Sequence, residues 1–214
     1  MDHSINELIK AVDYRGLQEA LSKNHELANQ GIPLDDNPAL AHPLHRICDG
    51  VFNAMYSDEQ AVKMAAIFLA HGAVVDGDPL IKGKDTPLVA AASLHADSVA
   101  RLYIESGADI THPGCHGGTA LHWAAWCGRD KLVKHLLNVN AEIEVRCITF
   151  KSTPLFWGVH GYKHGGDQNK SNQMECVRLL LNSGADKSVP NAEGYKPIDI
   201  LNPAIDQEMI SLLK

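Results

Sequence analysis

The sequence predicts an all-α solenoid of about six stacked helix–turn–helix repeats, with projecting finger loops and atypical capping repeats at both ends. Three observations predict it. A Thr-Pro-Leu-His-like tetrapeptide returns along the chain. Two of the four spacings between its copies keep a period near 33 residues, and the other two carry about ten more. A Gly-Ala pair follows at a fixed offset in the shorter repeats. Repetition of this kind decides fold class, because one helix pair cannot bury its apolar face alone and must stack on neighbours.

The first marker begins at His42, Thr86, Thr119, Thr153 and Lys196, at spacings of 44, 33, 34 and 43 residues. The second marker, Gly72-Ala73, Gly107-Ala108 and Gly184-Ala185, with Asn140-Ala141 in one repeat, falls 30, 21, 31 and 21 residues after the first, respectively. The surplus therefore lies between the two helices of two repeats, at about Asp49 to Ser57 and Gly161–Asn172. The second insertion reads as a polar loop. The first, with Val51, Phe52 and Met55, is more apolar and is expected to extend the inner helix. The register gives repeats at about 1–37, 38–81, 82–114, 115–148, 149–191 and 192–214, as a single domain over 1–214.

Each repeat justifies itself locally. Ser4 and Glu7 form a capping box before Ile5, Leu8, Ile9 and Val12 at helical spacing. Thr before Pro-Leu suits a helix start, since the hydroxyl caps and Pro fits the first turn. Leu44, Leu88, Leu121, Leu155 and Ile198 are core anchors, and Ala91-Ala92 and Ala124-Ala125 allow close helix approach. Leu132/Val133 with Leu136/Leu137, and Cys176/Val177 with Leu180/Leu181, form one buried stripe. Gly72, Gly107 and Gly184 stop the outer helices in a left-handed conformation, and Asn140 does the same less comfortably. In the last repeat Asn202-Pro203 reads as a helix start, with Ile205, Met209, Leu212 and Leu213 covering the end.

The stretch Gly118-Thr119-Ala120-Leu121-His122-Trp123-Ala124-Ala125-Trp126-Cys127-Gly128, with its variants at Thr86, Thr153 and His42, resembles the helix-opening motif of ankyrin repeats. The resemblance covers nearly the whole chain. It implies antiparallel helix pairs followed by a finger, a concave face of fingers and inner helices that binds protein, and a structural hydrogen-bonding role for His45 and His122. It also implies which inner-helix positions face the concave side: Arg46 and Asp49, Ala90 and Ser93, Trp123 and Trp126, Trp157 and His160. All three tryptophans fall there. The finger between those repeats carries Arg146, Ile148 and Phe150, and Tyr162 lies just beyond His160. Trp, Tyr and Arg dominate interface hot spots, so Trp123, Trp126, Trp157, His160, Tyr162, Arg146, Ile148, Phe150 and Arg46 are the expected protein-binding residues.

Composition narrows the function classes. A net charge of -7 and no basic run argue against nucleic acid. No apolar stretch is long enough to span a membrane, and the first residues lack the basic and apolar regions of a secretory leader. Five cysteines without a CxxC pair fit a reducing, cytoplasmic compartment. His112, Cys115 and His116 share one finger, but a zinc site needs about four ligands, so neither metal nor cofactor is expected. No phosphate loop, dinucleotide motif or nucleophile elbow occurs, and adjacent Cys-His residues on a helix point apart. The expectation is therefore a monomeric, non-catalytic protein-interaction module. The alternative is an enzyme or ligand-binding protein using the Gly161–Asn172 insertion with His160 and His164.

Overall fold

The structure, a computed structural model, describes residues 4–34, 37–77, 84–166 and 170–214. Eleven α-helices and one short antiparallel ribbon are found among them. They gather into two compact units, one of residues 1–81 with 85–109, the other of residues 82–84 with 110–214.

The first unit holds α1 (Ile5–Lys10), α2 (Tyr14–Lys23), the strands β1 (Ile32–Leu34) and β2 (Asn37–Ala41), then α3 (Pro43–Phe52), α4 (Asp58–Ala70), α5 (Pro87–Ser93) and α6 (Asp97–Glu105). The two strands form a finger, with Ile32 opposite Ala41. The Ser4–Glu7 capping box is present. Val12 does not continue the helix as its spacing predicts: α1 ends at Lys10 and Val12 adopts φ 54°, turning the chain into α2. The apolar insertion does lengthen the inner helix, since α3 runs to Phe52, and the Tyr56 hydroxyl donates back to the Ile47 carbonyl at 3.1 Å. Inner helices α3 and α5 pack side by side, as do outer helices α4 and α6. Polar bonds tie one repeat to the next. The buried Tyr103 hydroxyl on α6 donates to the Leu44 carbonyl at 2.8 Å. Asp58 at the start of α4 accepts from the Ser98 and Val99 amides, capping α6, which has no side-chain cap of its own.

The second unit holds α7 (Ala120–Trp126), α8 (Asp130–Asn138), α9 (Pro154–His164), α10 (Lys170–Asn182) and α11 (Gln207–Leu213). Inner helix α7 packs on α9 and outer helix α8 on α10. Leu121, Leu132, Leu136, Leu155 and Leu180 are buried between them. Gly161–Asn172 is less of a loop than its polar composition predicts. Residues 161–164 complete α9 and residues 170–172 open α10, while 167–169 lie outside the described residues. Val159 and Tyr162 give α9 an apolar side that is buried, which keeps the helix going. The Asn202-Pro203 helix start is also corrected. Residues 202–205 form a turn, and α11 begins at Gln207 after Asp206, whose carboxylate accepts from the Asn202 amide at 2.8 Å. Ile205, ahead of that helix, is exposed rather than covering the end, whereas Met209 and Leu213 are buried. Ile198 sits half-buried in a 3-10 turn, not in a full inner helix.

Every outer helix between the caps ends the same way. The amides of Ala73, Ala108, Ala141 and Ala185 each donate to the carbonyl five residues back, at 3.0 Å, across Gly72, Gly107, Asn140 and Gly184, all at positive φ. This is the Schellman closure, which satisfies helix-end carbonyls and needs a left-handed residue. At Gly107, φ is 89° and an added Cβ would meet nothing within 4 Å, so the cost of a side chain there is purely conformational. Gly107→Ala is expected to lower stability by about 1–2 kcal/mol in urea unfolding; an unchanged midpoint contradicts the left-handed requirement.

Candidate functional site

The candidate site begins with small residues. Ala125 and the backbone of Trp126 on α7 face Gly158 and Gly161 on α9. A Cβ at Gly158 would stand 3.2 Å from Val177 Cγ2 and 3.6 Å from Ala125 Cβ, and one at Gly161 would strike the backbone carbonyl of Trp126. The inner helices thus approach closely enough to bring large rings on their exposed edges together. Trp157 makes edge contacts with Trp123 at 5.1 Å and Trp126 at 6.5 Å between centroids, and Trp126 stacks on His160 at 4.8 Å. Such edge-to-face and offset pairings suit the ring quadrupoles.

The fingers close the other side. The Thr149 amide donates to the His116 carbonyl at 3.0 Å and the Ala192 amide to the Phe150 carbonyl at 2.8 Å, so three successive fingers are linked. Phe150 lies 5.3 Å from His116 and 6.4 Å from Trp157. Helices and fingers together enclose a groove of about 440 Å³, walled by Trp123, Trp126, Phe150, Phe156, Trp157 and His160, with Asn191 and Glu193 at one side. A second groove of about 460 Å³ continues along His160, His164, Glu193 and Asp199.

His122 anchors the site from beneath. The Thr119 amide donates to Nδ1 at 3.1 Å, so Nδ1 is an acceptor and the ring proton sits on Nε2, which donates to the Ser152 carbonyl at 3.1 Å. The imidazole thereby joins the start of α7 to the finger before α9, and its ring meets Trp157 edge-on at 5.2 Å. Burial pushes its pKa down to about 4, against the raising effect of its backbone hydrogen bonds. His160 is also held below the ordinary value, first by burial, then by His164 and Lys163.

The expected site residues fare differently. Trp123 and Trp126 are half-buried on the groove wall, and Ile148 and Phe150 are 49% and 46% exposed. Trp157 lines the groove but is 6% exposed, because the surrounding rings and finger cover it. Tyr162 is buried, with Lys170 Nζ 5.5 Å above its ring, and offers little surface. Arg146 is exposed, but its guanidinium braces the fingers, donating to the carbonyls of Lys151 and Pro190, each at 2.6 Å. Arg46 belongs to the first unit. It is buried, donating to the Ile32 carbonyl at 3.0 Å and Asp49 at 2.7 Å, and is a structural residue there. Phe156, Asn191 and Glu193 join the groove without having been expected. Continuing the repeat register into the finger after α10 would have found Asn191 and Glu193. Among the described residues, no group of three or more His, Cys, Asp or Glu side chains is placed to hold a metal.

Stacked helix pairs with Schellman-closed outer helices and linked fingers define a repeat scaffold that presents a surface. Residues 51–147 match the family described as ankyrin repeats (3 copies), so this stretch of the chain carries ankyrin repeats. It is 29% identical over 113 residues to palmitoyltransferase Hip14 of Drosophila melanogaster, covering 53% of this chain and 16% of that protein. It is 31% identical over 97 residues to palmitoyltransferase ZDHHC13 of Mus musculus, covering 45% of this chain and 14% of that protein. It is 31% identical over 94 residues to palmitoyltransferase ZDHHC17 of Rattus norvegicus, covering 44% and 14%. The chain thus spans about a seventh of the length of the curated relatives it matches. Ankyrin repeats support a protein-interaction module. No helix among the described residues is long and apolar enough to cross a membrane.

The depressed His122 pKa has a defined sign. The unfolded chain takes up a proton near the ordinary histidine value of about 6.5 and the folded chain only near 4. The neutral ring's contribution is therefore full above about pH 6.5 and is lost as pH falls toward 4, a total on the order of 3 kcal/mol. The His122 ring signals in NMR are expected to show no titration between pH 8 and about 5; a midpoint near 6.5 contradicts the buried, doubly bonded ring.

Proposed function

We propose that this chain is a non-catalytic module that binds a protein partner through the aromatic groove of the second unit and the finger tip beside it. One observation carries the reading. Trp123, Trp126 and Phe150 converge with partial exposure on one concave groove, and Ile148 stands exposed on the same finger. Apolar surface of this kind is costly to leave facing water, and rigid aromatic anchors in a pocket are how interface hot spots are built. Ankyrin repeats matched over residues 51–147 support the same class of function.

The reading takes residues 1–214 as one ankyrin-repeat domain of stacked repeats, monomeric and cytoplasmic. No disulfide joins any of the five cysteines among the described residues, which fits a reducing compartment. The palmitoyltransferase activity in the relatives' names belongs to proteins of which the matches cover 14–16%. The reading for this chain concerns recognition alone.

The test uses residues that contribute surface rather than core. Trp126→Ala combined with Phe150→Ala is expected to weaken capture of the partner by roughly tenfold or more while leaving the fold intact. The measurement is affinity capture on the wild-type and doubly substituted chains in parallel, with circular dichroism as the fold control. A folded variant that retains the same captured proteins contradicts the reading.

A further inference from the structure

The groove has an electrostatic character that its aromatic content alone does not give. Among the described residues lining it, Glu193 is the one carboxylate, and no lysine or arginine is present. The Glu193 carboxylate has no hydrogen-bond or ion-pair partner among the described residues; only its backbone amide is engaged, with Asn191. Two nearby cations are hydrogen-bonded to backbone carbonyls: Arg146 to two in the fingers, and Lys163 to that of Ile200. His160, its pKa pushed down by burial, adds no full positive charge at neutral pH.

The rings supply the complement. A tryptophan face is the best aromatic partner for a cation, because its quadrupole presents negative potential there. Trp123, Trp126 and Phe150 line one groove of about 440 Å³, large enough for a side chain together with its backbone, and Trp126 has one face stacked on His160. The indole Nε1–H of Trp123 is buried and has no acceptor among the described residues.

We propose that the groove binds a partner protein through a cationic side chain, arginine or lysine, held over the tryptophan faces and opposite Glu193. The proposal rests on the protein-binding reading and narrows it to a basic anchor. The chain's net charge of -7 acts in the same direction, drawing basic segments toward it.

The test needs no knowledge of the partner. N-acetyl-arginine methylamide and N-acetyl-lysine methylamide are titrated into the full chain, with the indole signals of Trp123 and Trp126 followed by NMR. The neutral isostere N-acetyl-citrulline methylamide and the anionic N-acetyl-glutamate methylamide serve as comparisons. The cationic probes are expected to shift both indoles saturably at millimolar concentration, and the neutral and anionic probes to bind on the order of tenfold more weakly. Glu193→Gln, at an exposed position, is expected to bring the arginine probe down toward citrulline. Equal response to arginine and citrulline, an undiminished preference in Glu193→Gln, or no indole response to any probe overturns the proposal. The protein-binding reading is judged separately, by partner capture with the Trp126 and Phe150 substitutions. Charge-indifferent probes alongside capture that depends on those residues would overturn the basic anchor alone.

Discussion

The backbone of α9 passes so close to that of α7 that Gly161 lies against the carbonyl of Trp126, with no room for a Cβ. The aromatic groove depends on this approach. With larger residues at 158 and 161 the helices would stand apart, and the edge contacts of Trp157 with Trp123 and Trp126 could not form. Gln173 on α10 adds to the same junction, its amide nitrogen donating to the Trp126 carbonyl at 3.0 Å. The residues that make the scaffold thin are thus the ones that let it carry a surface of rings.

Within each unit the repeats are also stitched by polar bonds that recur. Asp76 accepts from the Asp109 amide at 2.8 Å, and Glu144 accepts from the Asp186 amide at 2.7 Å, in equivalent places two repeats on. The recurring closure at Ala73, Ala108, Ala141 and Ala185 satisfies the ends of the outer helices. Such bonds satisfy backbone groups that would otherwise be left unpaired where loops meet helices. They hold the fingers in fixed register, and the linked fingers in turn set Phe150 over the groove.

Much of this scaffold was legible in the sequence because it follows from period and local chemistry. Thr86 and Thr153 cap their helices, Pro43, Pro87 and Pro154 open theirs, and the glycines stop the outer helices, as their residue types require. Less legible was what the insertion does. Gly161 has the look of a loop residue, yet it is a packing glycine inside α9, because only tertiary contact tells the two apart. Asn202-Pro203 carries a helix-start signal, yet the helix opens only after Asp206, four residues later. For the candidate site, spacing brought out the tryptophans and the exposed finger residues Ile148 and Phe150. It could not show that Arg46, Arg146 and Tyr162 are engaged or buried, since hydrogen bonds to distant carbonyls leave no trace in a periodic pattern. Glu193 was missed because a lone acidic residue in a finger looks like any solvated charge.

The central claim is that the close approach of α7 and α9 builds the aromatic groove, and Gly161→Ala tests it most directly. Near-ultraviolet circular dichroism, which reports the asymmetric environment of the tryptophans, should be recorded with urea unfolding on both chains. The account predicts an altered aromatic band and a loss of stability of about 1–3 kcal/mol, as overpacking forces the helices apart. An unchanged aromatic band with an unchanged unfolding midpoint would contradict it.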